Sequence, residues 1–77
     1  MILTIILECE NDFTVQKIIE FIQADSKSKK GNVNRYVFYK NSNIFCIECN
    51  PFFIHKLLLT KETETDFKFD IKSEKIW

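Results

Sequence analysis

The sequence predicts a single small α+β domain, with two helices packed on a mainly antiparallel sheet. Short β-branched and aromatic runs alternate with two stretches of helical spacing, in the order β-α-β-β-α-β. The chain has 77 residues, which suffice for one domain over residues 1–77 and leave no room for a second. A chain of this length buries only about 60% of its unfolded surface, which predicts a marginal core.

The first third of the chain predicts a strand, a helix and a loop. Residues 2–9 are apolar and β-branched, as expected of a central strand. Asp12 is expected to cap the helix that follows. The apolar residues of that helix recur at i, i+3, i+4 and i+7: Val15, Ile18, Ile19 and Ile22. Residues 26–34 are polar and basic and include the only glycine, which predicts a loop.

A β-hairpin is predicted in the middle of the chain. Two aromatic and β-branched runs, 35–40 and 44–49, flank the pair Asn41-Ser42. Asparagine tolerates the left-handed backbone conformation that a tight turn requires. We therefore place the turn of the hairpin at this pair.

A second helix and a last strand complete the pattern. Asn50 before Pro51 predicts an N-cap followed by proline at the first helical position. The apolar face of this helix is predicted to consist of Ile54, Leu57 and Leu58. The last strand is predicted from alternation with one wet face, in which Phe67, Phe69 and Ile71 alternate with Asp66, Lys68 and Asp70.

The formal net charge is zero, but the charges are unevenly distributed along the chain. Between residues 26 and 47 every charged residue is basic, namely Lys27, Lys29, Lys30, Arg35 and Lys40. In the first 25 residues Lys17 is the single base, against Glu8, Glu10, Asp12, Glu20 and Asp25. A basic segment of this kind can bind phosphates, or it can be a solvated loop whose charge neighbouring acids cancel.

Composition also sets expectations about location. No stretch approaches 18 continuous apolar residues, so we expect no membrane span. The opening strand lacks the basic flank and the cleavage site of a signal peptide. Three cysteines, an odd number, argue against a secreted disulfide framework. We therefore expect reduced thiols and a cytoplasmic protein.

The cysteines suggest a metal site only weakly. Cys46 and Cys49 are three residues apart, His55 follows, and Cys9 could be a fourth ligand. If the first and third strands are parallel neighbours, Cys9 and Cys49 lie close together at one end of the sheet. Residues three apart in a strand point to opposite faces, so Cys46 and Cys49 do not converge on one ion. We favour buried, unreactive thiols, with no metal and no cofactor.

Enzyme chemistry is not indicated either. A nucleophilic pair of Cys49 and His55 would need an orienting third group and an oxyanion site, and the sequence marks neither. The acidic run Glu62, Glu64 and Asp66 is typical of an exposed loop between a helix and a strand. The chain has no glycine-rich phosphate loop. We expect no catalysis and no small-molecule substrate.

Aromatic residues lie beside the basic loop, where they could stack on unpaired bases. These residues are Tyr36, Phe38 and Tyr39. For most of the phenylalanines, including Phe38, Phe45, Phe67 and Phe69, we favour the alternative that they form the core.

Residues 40–61 form the predicted hairpin and run directly into a helix that begins Pro51-Phe52. This stretch resembles the eukaryotic large-subunit ribosomal protein L-twenty-two family, whose hairpin runs into a Pro-Phe-Ser-Lys-Arg-Tyr-Leu helix. His55 stands at the arginine of that helix and Leu57 at its leucine. The remaining similar segments are Leu3-Thr4-Ile5 in the first strand, Glu20 to Gln23 in the first helix, Lys30 to Val33 in the basic loop, and Thr60-Lys61.

The resemblance implies a structural constituent of the large ribosomal subunit that binds ribosomal RNA and contacts neighbouring ribosomal proteins. The expected phosphate contacts are Lys27, Lys29, Lys30 and Arg35 from the loop, with His55, Lys56 and Lys61 from the second helix. Such contacts position a protein without reading base sequence. The family's second helix is densely basic, so this less basic helix implies weaker RNA binding.

A protein–protein adaptor without RNA contact is the alternative. Its anchor in a partner's pocket would be one exposed aromatic side chain, chosen from Phe52, Phe53 and Trp77. Neutral net charge favours this alternative, whereas the basic segment and the resemblance favour RNA.

Overall fold

The computed structural model describes residues 1–29 and 31–76. The elements are β1 (Leu3–Cys9), α1 (Asp12–Ser26), β2 (Val33–Tyr39), β3 (Ile44–Cys49), α2 (Pro51–Thr63) and β4 (Phe69–Ile76). The predicted order β-α-β-β-α-β is confirmed. Neither helix has the length and apolar character needed to cross a membrane.

The four strands form one antiparallel sheet in the order β2-β3-β1-β4, with β2 and β4 at its edges. In β1 every second residue from Leu3 to Cys9 is buried, whereas the residues between them are only partly buried. Side chains of both helices join the buried strand residues in one cluster. Both helices therefore cover the same face of the sheet, and the opposite face is open. The predicted α+β class is confirmed.

Phenylalanines make up much of the core. Phe45, Phe53, Phe67 and Phe69 are almost fully buried, and Phe38 packs against them with its ring centroid 4.5 Å from that of Phe45. Phe67 and Phe69 meet edge to face at 5.4 Å. This arrangement supports the interpretation that Phe38, Phe45, Phe67 and Phe69 serve packing rather than base stacking.

The start of α1 differs from the prediction by one residue. Asn11, not Asp12, is the N-cap, since the Asn11 side chain accepts a hydrogen bond from the Thr14 N–H at 2.8 Å. Asp12 lies in the first turn, where its negative charge interacts favourably with the helix dipole. Ile18 and Ile22 of the predicted apolar face are buried, and Val15 and Ile19 pack at its margin.

The predicted hairpin is confirmed, but its left-handed residue is Asn43, with φ of 54°, rather than a residue of the pair 41–42. The cap of α2 by Asn50 is also confirmed. The prediction for the apolar face of α2 is partly wrong. Ile54 and Leu57 are buried together with Phe53, whereas Leu58 is 42% exposed because it points past the margin of the sheet-facing side.

The last strand begins later and extends further than the alternation predicts. Phe67 is buried but precedes β4, and its N–H donates to the Glu64 carbonyl in a turn. Ile71, predicted to face the core, is 38% exposed on this edge strand. Pairing with β1 shifts register between Ile6 and Leu7, so the alternation is not maintained along the whole strand.

Candidate nucleic-acid interface at one end of the sheet

The antiparallel register gives the sheet two chemically different ends. At one end β1 and β2 begin and β3 ends, as shown by the pairing of Cys49 with both Leu3 and Val33. Helix α1 ends there and α2 begins there. We call this the basic end, defined by Lys27, Lys29, Arg35 and His55. We call the opposite one the acidic end, defined by Glu10, Asp12, Glu62, Glu64 and Asp66.

The loop between α1 and β2 is held by Asp25. Its carboxylate accepts the Asn32 N–H at 2.8 and 2.9 Å, and the Val33 N–H at 2.9 Å. The one acidic group in the last turn of α1 is therefore directed at the loop backbone. These hydrogen bonds hold the loop in place, and Asp25 forms no ion pair with Lys27 or Lys29.

Asn50 ties the same loop to the start of α2. Its N–H donates to the Asn32 carbonyl at 2.9 Å, and its Nδ2 donates to the Asn32 Oδ1 at 2.8 Å. Its own Oδ1 accepts the N–H groups of Phe52 and Phe53. The side chain that caps α2 therefore also places Phe52 and His55 at the end of the sheet that carries the loop lysines.

The three described basic residues of the loop and β2 are all exposed. Lys27 and Lys29 make no ion pair with any residue in the described ranges. Arg35 lies 3.2 Å from the Glu48 carboxylate, but its side chain is 81% exposed. An open groove of about 330 Å³, lined in part by Asp25, Arg35 and Tyr36, runs beside the loop. Lys30, also predicted as a contact, lies outside the described residues.

Not all the predicted basic residues of α2 reach this end. His55 is exposed one turn from the helix start. The Lys56 Nζ lies over the Phe21 ring, 4.7 Å from its centroid, between the two helices. The Lys61 Nζ donates to the Phe69 carbonyl at 2.6 Å, at the acidic end. The structure therefore gathers Lys27, Lys29, Arg35 and His55, and it leaves Lys61 with an internal partner elsewhere.

The thiols are dispersed. The condition under which Cys9 and Cys49 would lie close together, parallel β1 and β3, is not met: the antiparallel register puts Cys49 at the basic end and Cys9 at the acidic end. Cys46 lies on the open face of β3. Burial raises the pKa of Cys9 to about 11. The pKa of Cys49 is also raised to about 11, first by burial and then by the negative charge of Asp25.

These values limit thiol chemistry. Both thiols stay protonated at neutral pH, and thiolates are the form that attacks substrates or binds metals. Cys49 is buried whereas His55 is exposed, so these two residues do not form an activated nucleophile–base pair. Within residues 1–29 and 31–76 no three His, Cys, Asp or Glu side chains are placed to hold a metal ion.

The candidate anchors of an adaptor differ in accessibility. Phe52 is 76% exposed, whereas Phe53 is only 2% exposed and packs in the core, so it is not an anchor. Trp77 lies outside the described residues. Tyr36 and Tyr39, beside the basic loop in sequence, are 43% and 54% exposed.

Comparison of the chain with protein-family models, curated proteins and solved structures finds no match.

Proposed function

We propose that this protein is a non-catalytic RNA-binding domain whose partner is the ribosomal RNA of the large subunit. One observation carries the proposal. The loop held by Asp25 places Lys27 and Lys29, without ion-pair partners among the described residues, at the sheet end where Arg35 and the start of α2 meet. The hairpin that runs into Pro51-Phe52 supports the ribosome as the location, with neighbouring ribosomal proteins as further contacts.

Neutral net charge does not oppose this proposal. The domain measures 28 × 21 × 21 Å. Exposed charges interact weakly beyond a Debye length, which is about 8 Å at physiological salt. A phosphate at the basic end therefore experiences the nearby lysines and little of the carboxylates at the opposite end. Two acids also lie at the basic end: Glu48 pairs with Arg35, and the Asp25 carboxylate accepts backbone N–H groups. Lys27 and Lys29 remain without an ion pair among the described residues.

The binding mode follows from the side chains available. Lysine ammonium groups and the Arg35 guanidinium bind phosphate oxygens and orient the domain without selecting a base sequence. Tyr36 lines the groove beside them and presents an aromatic surface to an unpaired base. A site with so few cations should bind RNA weakly, and its affinity should fall as salt rises with a slope set by the small number of phosphate contacts.

A matched pair of variants tests the proposal. The affinity for a labelled RNA stem–loop is measured by fluorescence anisotropy over a series of salt concentrations. Lys27→Glu combined with Lys29→Glu should abolish most of the binding and lower the salt dependence by about one unit of slope per lost phosphate contact. Lys40→Glu combined with Lys68→Glu makes the same change in net charge at the acidic end and should leave affinity nearly unchanged.

Two outcomes would contradict the proposal. If binding survives reversal of Lys27 and Lys29, the loop is not the contact. If both pairs of substitutions weaken binding equally, the RNA responds to net charge and no defined interface exists.

The second candidate function is a protein–protein adaptor, and the exposed Phe52 ring favours it. An aromatic anchor in an apolar pocket is nearly insensitive to salt. Phe52→Ala should then remove the association of the protein with its partner, whereas reversal of the two lysines should not. The opposite pattern is expected if RNA is the partner.

A further inference from the structure

The two edges of the sheet differ in how well they are protected against pairing with another strand. The β4 edge carries Asp70, Lys72, Glu74 and Lys75, and charged residues discourage edge-to-edge association. Both edge strands have a shift in register, which in β2 lies between Val33 and Arg35 and so precedes residues 35–39. The β2 edge has no proline and, over residues 35–39, one charged residue. Tyr36, Val37 and Tyr39 of β2 are 43%, 51% and 54% exposed. The β2 edge is therefore open to a further strand.

We propose that β2 pairs antiparallel with β2 of a second copy of this chain, about a two-fold axis at Val37. Each four-stranded sheet would then continue into the other. On the open face Val37 would lie opposite its own copy, and Arg35 opposite Tyr39. On the helix-covered face Tyr36 would lie opposite Phe38.

Side-chain chemistry favours a second copy as the occupant. In this register two-fold symmetry repeats each pair of facing residues on both sides of the axis, as an isologous interface requires. Arg35 and Tyr39 form a cation–aromatic pair on both sides of the axis, and Tyr36 and Phe38 form an aromatic pair. A one-residue slip would place open-face side chains opposite helix-face side chains and lose these pairs.

Charge does not oppose this pairing. Antiparallel pairing of the two β2 strands reverses one domain relative to the other. The basic end of each copy then lies beside the acidic end of its partner, where Lys40 follows β2 and where Glu10 and Asp12 lie beyond β3, after the end of β1. Net charge is zero, so no overall repulsion opposes association.

The dimer should be weak. A single pair of short edge strands is small against the roughly 1,200–2,000 Å² that stable complexes bury. We expect dissociation on dilution rather than a permanent dimer. The inference shares Arg35 and Tyr36 with the proposed RNA interface, but it is tested in the absence of RNA, so its failure and that of the RNA proposal are distinguishable.

Sedimentation equilibrium of the purified chain over a range of concentrations tests the inference. The wild-type mass should rise from 9.2 kDa toward twice that value as concentration increases. Val37→Lys puts two like charges opposite each other at the axis and should weaken self-association at least about tenfold. The matched control is Ile76→Lys on the β4 edge, where the side chain is 65% exposed, and it should associate like wild type.

Mixing separates a lost interface from a lost fold. Val37→Glu alone should also stay monomeric, but an equimolar mixture of Val37→Lys and Val37→Glu should dimerise, because the introduced charges then attract. Should Val37→Lys unfold the domain by circular dichroism, Tyr39→Lys, which faces Arg35 of the second copy, takes its place.

Three results would overturn the inference. The first is a wild-type chain that stays monomeric at every concentration. The second is a dimer that survives Val37→Lys or is lost in Ile76→Lys. The third is a mixture of oppositely charged variants that fails to associate.

Discussion

The basic and acidic ends of the sheet are built alike and used differently. At each end a helix terminus is tied to the neighbouring segment by an asparagine side chain, Asn50 at the basic end and Asn11 at the acidic end. At the acidic end Thr14 is fully buried, its hydroxyl donates to Asn11 Oδ1 at 2.7 Å, and it accepts the Lys68 N–H at 2.8 Å. These side chains of Asn11 and Thr14 therefore stabilise the fold at the acidic end.

Cations show the same contrast. At the acidic end Lys17 pairs with Glu64 at 3.2 Å, and Lys61 donates to the Phe69 carbonyl. At the basic end Lys27 and Lys29 have no such partner among the described residues. A lysine that stabilises the fold has a short internal contact, whereas a lysine available to an external anion does not. Lys40 and Lys68 at the acidic end also lack such a partner among the described residues, so a free lysine alone does not define an interface. The basic end is the candidate interface because Asp25 and Asn50 hold its lysine-bearing loop beside Arg35 and the start of α2.

The largest expected effect concerns the thiols, one of which is buried at each end. Because burial raises the pKa of Cys9 and Cys49 from 9.0 to about 11, each has about a hundredfold less thiolate at pH 8 than an ordinary cysteine. Iodoacetamide should therefore modify Cys46 first in the native protein, and all three cysteines after denaturation. Mass spectrometry of the labelled peptides measures the order.

Labelling also compares the two ends directly. Modification of Cys49 before Cys9 would show that the basic end opens more readily. Modification of Cys9 first would show that the acidic end opens more readily. Rapid labelling of both in the native protein would contradict their burial.

The same pKa values predict how stability depends on pH. The folded pKa of about 11 lies above the ordinary value of 9.0, so the folded state holds these protons more tightly. The resulting stabilisation is complete below about pH 9 and is lost as pH rises through about 11. Urea unfolding at a series of alkaline pH values should show this loss, and it should be smaller in Cys49→Ala than in wild type. An equal loss in both proteins would contradict the assignment.

The next effect is at the acidic end. Thr14→Val keeps the shape of the buried side chain but leaves the part-buried Lys68 N–H without its acceptor, so it should lower the free energy of unfolding by about 1–3 kcal/mol. Chemical denaturation measures the change. Affinity for RNA at concentrations where the variant is folded should not change, and a loss of affinity would show that the two ends are not independent.

A smaller effect is expected at the basic end from Asp25→Ala. Removing the carboxylate frees the Asn32 and Val33 N–H groups, which lie where water can replace it in part, so the cost should be about 1 kcal/mol. Hydrogen exchange at these two amides should accelerate while exchange in β1 stays slow. Unchanged exchange would mean that Asp25 does not hold the loop.

The smallest effect on stability is expected from Arg35→Ala. The ion pair with Glu48 is exposed, and exposed pairs contribute about 0–1 kcal/mol. Stability should therefore hardly change, whereas affinity for the RNA stem–loop should fall if Arg35 contacts a phosphate. Unchanged affinity in this variant would show that Arg35 is not part of the interface, and the loop lysines would remain the proposed contacts.

Local patterns predicted the elements well, because burial on one face imposes alternation on strands such as β1 and a 3.6-residue period on α1. These local patterns did not show which of two adjacent residues caps a helix. Asn11 rather than Asp12 caps α1 because its Nδ2 also donates to the distant Asp66 carbonyl at 3.0 Å. Nor did they show whether β1 and β3 run parallel, so whether Cys9 and Cys49 lie close together could not be decided from the sequence.

The candidate site was predictable only as a set of residue types. The basic segment marks Lys27 and Lys29, but nothing local indicates that Asp25 binds the loop backbone or that Asn50 joins the loop to α2. These contacts link segments that are distant in sequence or depend on the loop's final path. For the same reason the sequence could not show that Lys61 folds back onto Phe69.

The most direct test of the central claim is sedimentation of a cell lysate through a sucrose gradient, with this protein followed before and after a high-salt wash. We predict that it travels with the large ribosomal subunit at low salt and is released as salt rises, and that the protein with Lys27→Glu and Lys29→Glu stays at the top of the gradient. A wild-type protein that stays at the top with the free proteins would contradict the ribosomal proposal and leave the adaptor as the better account.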